Sequence, residues 1–309
     1  MKITKGLIEQ HIHGAFGIDF MTCDIDELLY CADLLAQNGV CAFFPTVMTD
    51  DLDVIKNRIE IIKEAQSLQN QKTAKISGIH LEGPFINPSE AGIHEKKFIL
   101  PLDIELYKKI HDDIIKIVTI APELDMEGSF RKYLNEKGIK ISAGHTQTID
   151  FNMVHQITHL YNAMSRFHHR NITTAVKALV NDDIYTEIIA DSVHVSDDVL
   201  KITFKQKPLN KIILISDALP LAHSNITEAV FARQKIYNQN GNLINKDGTI
   251  AGSSKLLCDI VKNLADKQIT SFDLAIQCAS SNIINYHCIQ NNIDVYWDEN
   301  NKIQRILFN

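Results

Sequence analysis

Gly6-Leu-Ile-Glu-Gln-His-Ile-His-Gly14 is a short β-rich run that ends in two histidines, and the same grammar recurs along the chain. Lys75-Ile-Ser-Gly-Ile-His-Leu-Glu-Gly-Pro84 ends in a carboxylate, and Lys211-Ile-Ile-Leu-Ile-Ser-Asp217 ends in another. Working outward from these, eight runs read as strands: Gly6–His13, Val40–Thr46, Lys75–Glu82, Ile115–Ala121, Ile139–Gly144, Val154–Leu160, Tyr185–Ala190 and Lys211–Ser216. Helix-like segments lie between them. Asp24–Asn38 carries Leu28, Leu29, Ala32 and Leu35 at helical spacing, and Leu52–Leu68 carries Ile55, Ile59 and Ile62. Strand alternating with helix predicts a parallel sheet, and eight such units predict an α/β fold closed into a TIM-like (β/α)8 barrel rather than an open sheet.

Beyond the eighth run the pattern changes. Gln234–Ile250 reads as two strands about the turn Asn240-Gly241-Asn242, followed by helices over Lys255–Asp266 and Ser271–Asn282. The tail Asp294–Phe308 reads as two further strands around Asp298-Glu299-Asn300. At 309 residues the chain fits one barrel of about 250 residues plus a small appendage.

Composition narrows the function. A net charge of −7 with scattered lysines argues against a nucleic-acid backbone as partner, because that affinity rests on clustered Lys and Arg. The six cysteines form no C-x-x-C pair and sit mostly among apolar residues, which predicts free thiols in a reducing compartment. No leader-like apolar segment opens the chain and no run approaches a membrane span, so a cytoplasmic protein with no membrane partner is expected.

The ionisable residues fall at the C-terminal ends of different strands, where barrels of this kind place their active sites. His11 and His13 stand two apart on one strand, so both imidazoles can face one metal ion. Glu82 closes an apolar strand, where a carboxylate is costly unless it is paired or bound to a cation; His80 shares its side and reads as a supporting residue. His145 and His159 end two further runs. A carboxylate and two histidines from separate strands suit a three-ligand site with a position left for water. Asp217 is placed to take a proton from such a water and return it to a leaving amine, or alternatively to cap the next helix. His194 completes the set from the seventh strand, and His168-His169-Arg170 offers positive charge suited to a phosphate or carboxylate, or reads as a solvated basic loop.

Taken together, His11-Ile-His-Gly14, Gly78-Ile-His-Leu-Glu-Gly-Pro-Phe85, Gly92-Ile-His94, Gly144-His-Thr146, Thr158-His-Leu-Tyr-Asn-Ala-Met164, His168-His-Arg170, Ala190-Asp-Ser-Val-His194, Ser216-Asp-Ala218 and Gly248-Thr-Ile-Ala-Gly-Ser253 resemble the N-acetylglucosamine-6-phosphate deacetylase family of the amidohydrolase superfamily, in the family's order across most of the chain. The resemblance implies metal-dependent hydrolysis of the acetamide of N-acetylglucosamine 6-phosphate. It implies Glu82, His145 and His159 as ligands of the main divalent ion and His11 and His13 as ligands of a second. One or two ions are expected, with zinc favoured and iron, manganese or cobalt as alternatives. It further implies Asp217 as catalytic acid/base and His94 at the substrate's acyl oxygen. Asn162, Ala163, His194, Gly252 and Ser253 fall to the sugar-phosphate pocket, and Arg170 to a phosphate contact reaching the neighbouring site of a homodimer.

The resemblance also implies a barrel over residues 6–284 and a small β-domain reduced to residues 1–5 and 285–309, leaving an apolar face for another cover such as a partner subunit. After Arg170 the family's Pro-Gly is replaced by Asn171-Ile-Thr-Thr174, and Ser192 stands where Gly is common. Two other readings remain at this point: an amidohydrolase for a different N-acyl sugar or cyclic amide, and a non-catalytic sugar-phosphate-binding barrel.

Overall fold

The eight runs form one parallel sheet wrapped into a barrel. A computed structural model covering residues 1–309 places barrel strands β1 (Leu7–Ile12), β2 (Val40–Met48), β3 (Ile79–Glu82), β4 (Ile115–Ile120), β5 (Lys140–Ala143), β6 (Gln156–Ile157), β7 (Tyr185–Ile189) and β8 (Ile212–Ile215) side by side in chain order. Between β8 and β1 no regular ladder forms. A few rim bonds close the ring instead: Asp217 N donates to His11 O at 3.0 Å, His13 N to Ala218 O at 2.9 Å and Gly14 N to Ala218 O at 3.1 Å.

Two strands are shorter than the sequence suggests. The run from Lys75 splits into Lys75–Ile76, which pairs with β2, and β3. The break falls at Gly78, where φ is +151° and a Cβ would lie 2.3 Å from Lys116 Cγ. β6 keeps two regular residues, although His155 N, Thr158 N and Leu160 N still bond to Ile141 O, Ala143 O and Glu187 O on its neighbours.

Helices α1 (Ile25–Gln37) and α2 (Leu52–Leu68) pack on the outside of β2; of the residues expected on their inward faces Leu28, Ala32, Leu35, Ile55, Ile59 and Ile62 are buried and Leu29 is half-buried. α1 starts at a reciprocal cap, Asp24 accepting from Glu27 N and Glu27 from Asp24 N. The segment read as one helix over Ser271–Asn282 is two, Phe272–Ala279 and Ser281–His287. They meet at Ser280, whose hydroxyl donates to Gly6 O at 2.7 Å.

Two small antiparallel sheets flank the barrel. One joins Glu228–Phe231, Gln234–Gln239 and Asn242–Asn245; the turn at Asn240-Gly241 matches the sequence, and the first strand was not foreseen. Its Phe231, Ile236 and Leu243 pack with Met48, Leu219 and Leu221, which seats it over the rim of the barrel. The other joins Lys2–Lys5, Ile293–Trp297 and Ile303–Phe308. Its inward Ile293, Val295 and Trp297 are fully buried, and Trp297 meets Phe272 edge-on at 5.3 Å. That inward face is therefore covered by the chain's own helix, where the sequence had suggested a partner subunit. All six cysteines are free, and no helix is long and apolar enough to cross a membrane.

Candidate active site

Five of the barrel strands, β1, β3, β5, β6 and β8, carry a histidine or carboxylate at or just past their C-terminal ends, at the rim. The backbone bends sharply there: His145, His159 and Asp217 adopt left-handed φ of 48°, 28° and 50°. Such conformations are uncommon outside glycine and gather at functional sites. The bends turn three chain-separated side chains toward one cavity.

Glu82, His145 and His159 form the first cluster. His145 Nε2 and His159 Nε2 lie 3.2 and 3.1 Å from Glu82 Oε1 and 3.2 Å from each other. His145 Nδ1 is committed to the Glu90 carbonyl at 2.8 Å, so its proton sits there and Nε2 presents a bare lone pair. Acceptors crowded this closely call for a cation. Donors held at roughly 2.0–2.2 Å around one tetrahedral ion stand about 3.3–3.6 Å apart, close to what is seen.

His11, His13 and Asp217 form the second cluster, across the seam of the barrel. His13 Nε2 stands 3.1 Å from Asp217 Oδ1 and 3.3 Å from Glu82 Oε2; His11 Nε2 stands 3.5 Å from both Asp217 Oδ1 and Glu82 Oε1. Glu82 thus touches both clusters. His11 Nε2 and His13 Nδ1 are buried without any hydrogen-bond partner, and an ion at His11 Nε2 would remove the cost at the first of them. The donor set fits one or two divalent ions, with imidazole and carboxylate ligands compatible with several transition metals.

Electrostatics agree with a site that gathers positive charge. Burial pushes the Glu82 carboxyl up, but the surrounding histidines, His11 first and then His13 and His145, outweigh it and hold Glu82 well below the usual carboxylate range. Burial likewise opposes ionisation of Asp217, yet His11 and His13 bring it down to about 2. Asp217 is therefore in its basic form at neutral pH. Burial, with His145 nearby, lowers His94 to about 4 and keeps that ring neutral.

Above the clusters opens a cavity of 490 Å³, lined by His13, Glu82, His94, His145, His159 and Asp217 at its base and by Asn162, Ala163, His194 and Gly252 on its walls. His94 Nε2 reaches to 3.5 Å from Glu82 Oε2, and its Nδ1 bonds Thr49 Oγ1 at 2.7 Å. His194 is clamped by Asp191, Nδ1 to Oδ2 at 2.9 Å, leaving its Nε2 edge for the cavity.

Three predicted residues do not line the cavity itself. His11 is fully buried beneath the cavity floor. Ser253 lies behind the wall: its N donates to Asp217 O and its carbonyl accepts from Leu219 N, strapping the Gly252 loop to the rim. Gly252 makes that strap possible, since a Cβ there, at φ +52°, would fall 2.6 Å from Asp217 O. Arg170 is exposed on the loop after Met164 and does not line this chain's cavity.

Sequence reasoning missed Thr49, Glu90, Arg166 and Glu187. Arg166 is the one Lys or Arg lining the cavity. Arg131 and Arg233 are tied to Asp125 and Asp50, and Arg58 to Cys23 O, whereas Arg166 joins no such pair. Glu187 offered a signal, a lone carboxylate inside the apolar strand Tyr185–Ile189. The Glu90 contact uses a backbone carbonyl, which sequence cannot show.

A parallel eight-stranded barrel with His and carboxylate ligands at the strand ends is the architecture of the metal-dependent amidohydrolases. No family model matches the chain. The N-acetylglucosamine-6-phosphate deacetylase of Bacillus subtilis (strain 168) is 34% identical over 263 residues, covering 81% of this chain and 66% of that protein. Its counterpart in Lysinibacillus sphaericus is 28% identical over 282 residues, covering 88% and 72%. The crystal structure of the Thermotoga maritima enzyme of the same name superposes with a TM-score of 0.90 at 26% identity, over 99% of this chain and 87% of that one. The chain belongs to the N-acetylglucosamine-6-phosphate deacetylase family of amidohydrolases.

Proposed function

We propose that the chain hydrolyses the acetamide of N-acetylglucosamine 6-phosphate, giving glucosamine 6-phosphate and acetate. The observation that carries this is the placing of an ionised, buried carboxylate, Asp217, between a cluster that calls for a cation and a cavity of sugar-phosphate size. The relatives that share the motifs bear the name of this activity; the chain spans about two thirds of the length of the first of them.

Glu82, His145 and His159 would hold one divalent ion, and His11, His13 and Asp217 a second. When bound, the ion supplies Lewis acidity toward the amide carbonyl and lowers the pKa of water. The rest of the chemistry falls to the chain. Asp217 accepts the proton of the attacking water and delivers it to the departing amine. His94, neutral and fixed by Thr49, donates from Nε2 to the carbonyl oxygen as negative charge develops. Asn162 and Ala163 on the wall orient the sugar, and His194, fixed by Asp191, faces the phosphate. Arg166 contributes the in-chain positive charge, with Arg170 reaching the neighbouring site in a homodimer. Zinc is the resident ion in this reading, the enzyme is cytoplasmic, and residues 1–5 with 285–309 form the small β appendage to a barrel over 6–284.

The test is acetate release from N-acetylglucosamine 6-phosphate by the purified protein, with metal content measured on the same sample and Asp217→Asn as control. Turnover that the variant loses supports the reading. A metal-loaded protein that releases no acetate rejects it.

A further inference from the structure

Beneath the ion-calling clusters the barrel interior is polar. Glu187 on β7 is fully buried, and the partners of its carboxylate are amides and an imidazole. Its Oε1 accepts from Gln10 Nε2 at 2.5 Å and Gln156 Nε2 at 3.0 Å, and its Oε2 faces His11 Nδ1 at 3.1 Å. Gln10 is held in turn by His287 Nε2, 3.0 Å from its Oε1. An ionised carboxylate only accepts, so the His11 proton resides on Nδ1 and the Nε2 lone pair points up between Glu82 and Asp217. His11 Nε2 is thereby among the buried atoms left without a hydrogen-bond partner.

The other three histidines of the clusters lack this arrangement. His145 leans on the neutral Glu90 carbonyl, and the Nδ1 atoms of His13 and His159 have no partner. A carboxylate behind a histidine fixes its tautomer and ring and strengthens it as a ligand. The neighbouring His80 cannot serve as ligand instead, since Gln10 O and Thr119 Oγ1 occupy its two nitrogens at 3.0 and 2.7 Å.

We propose that Glu187 is a positioning residue that commits His11 to the second ion site, and so sets whether the protein holds two ions or one. This rests on the metallohydrolase reading above, and its test counts ions rather than turnover. Holoprotein grown with zinc is exposed to graded chelator, and the ions retained per chain are measured by mass spectrometry. The wild type is expected to keep two ions and release them in two steps. Glu187→Gln, nearly the same size, is expected to hold the first as the wild type does and to release the second at roughly 10–100-fold lower chelator, the usual loss when a ligand's supporting residue is removed. Gln156→Met removes a donor to Glu187 without touching His11; it should lower the melting temperature and keep both ions.

Retention of both ions by Glu187→Gln at wild-type strength overturns the proposal. So does equal weakening of both, which would make Glu187 a support of the barrel as a whole. If Glu187→Gln does not fold, Glu187→Asp, which keeps the charge one methylene short of His11, must weaken the second ion alone; unchanged release in that variant is equally fatal. A wild type with a single ion leaves the metallohydrolase reading standing and removes this one. A wild type with none removes both.

Discussion

The two ligand clusters share Glu82 yet are built in different ways. The first draws its residues from β3 and from the ends of β5 and β6, inside an unbroken stretch of sheet. The second spans the seam, where β8 and β1 are joined by rim bonds that include His11 O, His13 N and the Asp217 N–H themselves. Ladder geometry fixes the first before any ion is considered. The second needs the carboxylates, the Glu187 brace and the Gly252–Ser253 strap to hold its shape, so it is the cluster that substitutions should separate from the rest.

The hardest way to break the comparison is to remove what the clusters share. Glu82→Gln deletes the charge that both are built around and on which the four cluster histidines converge. Both ions and all turnover should be lost together, measured as metal content and acetate release. Survival of one ion would show that the clusters are independent. Asp217→Asn comes next: it should lower kcat by about 10²–10⁴-fold, the range of a lost general acid/base, while the first cluster keeps its ion.

A smaller effect is expected at the cavity wall. Arg166→Ala should raise the KM for the phosphorylated sugar by about ten- to a hundredfold, as loss of a charged hydrogen bond of roughly 1.5–3 kcal/mol implies, and leave that for N-acetylglucosamine unchanged. Arg170→Ala gives the same signature only if the loop of one protomer serves the other. Equal effects on both sugars would remove either arginine from phosphate recognition.

Much of this was legible in the sequence because barrel strands keep their chemistry at one end. Eight strand-like runs marked the barrel, and six of them lead into His11-Ile-His13, Glu82, His145, His159, His194 and Asp217, which marked the clusters and one wall of the cavity. What escaped was support that lives in three dimensions. Glu187 meets His11 across 176 residues, and Thr49 meets His94 across 45. Arg166 differs from Arg170 only in where a loop turns. The Glu228–Phe231 strand was missed because its burial alternates while its sequence does not: Val230, on the exposed side, is as apolar as the buried Phe231.

Proton binding sharpens the contrast between the clusters and the wall. Burial lowers the His194 pKa, but the hydrogen bond and charge of Asp191 outweigh it and raise the group above its ordinary value, while Asp191 is lowered. A raised histidine keeps its proton above pH 6.5 and loses it as pH climbs through the shifted value. Phosphate affinity should follow, so the KM for the phosphorylated sugar should rise with pH on the alkaline side of neutrality, and that for N-acetylglucosamine should not. Asp191→Asn should move the rise to lower pH. A pH profile identical for the two sugars would place His194 outside the phosphate contact.

The smallest expected effect lies far from either cluster and calibrates the others. Asp24→Ala removes the cap of α1, satisfied by Glu27 N at 2.9 Å, and should cost about 1 kcal/mol of stability, a fall in Tm of a few degrees, about 2–4 °C for a domain approaching this size. Because α1 packs on the outside of β2, neither cluster depends on its first turn, and the two-step release of ions by chelator should be unchanged. If this cap variant released its second ion early, a general loss of stability would suffice to empty the seam cluster. The Glu187→Gln result would then have to be compared at equal stability before it could be assigned to His11.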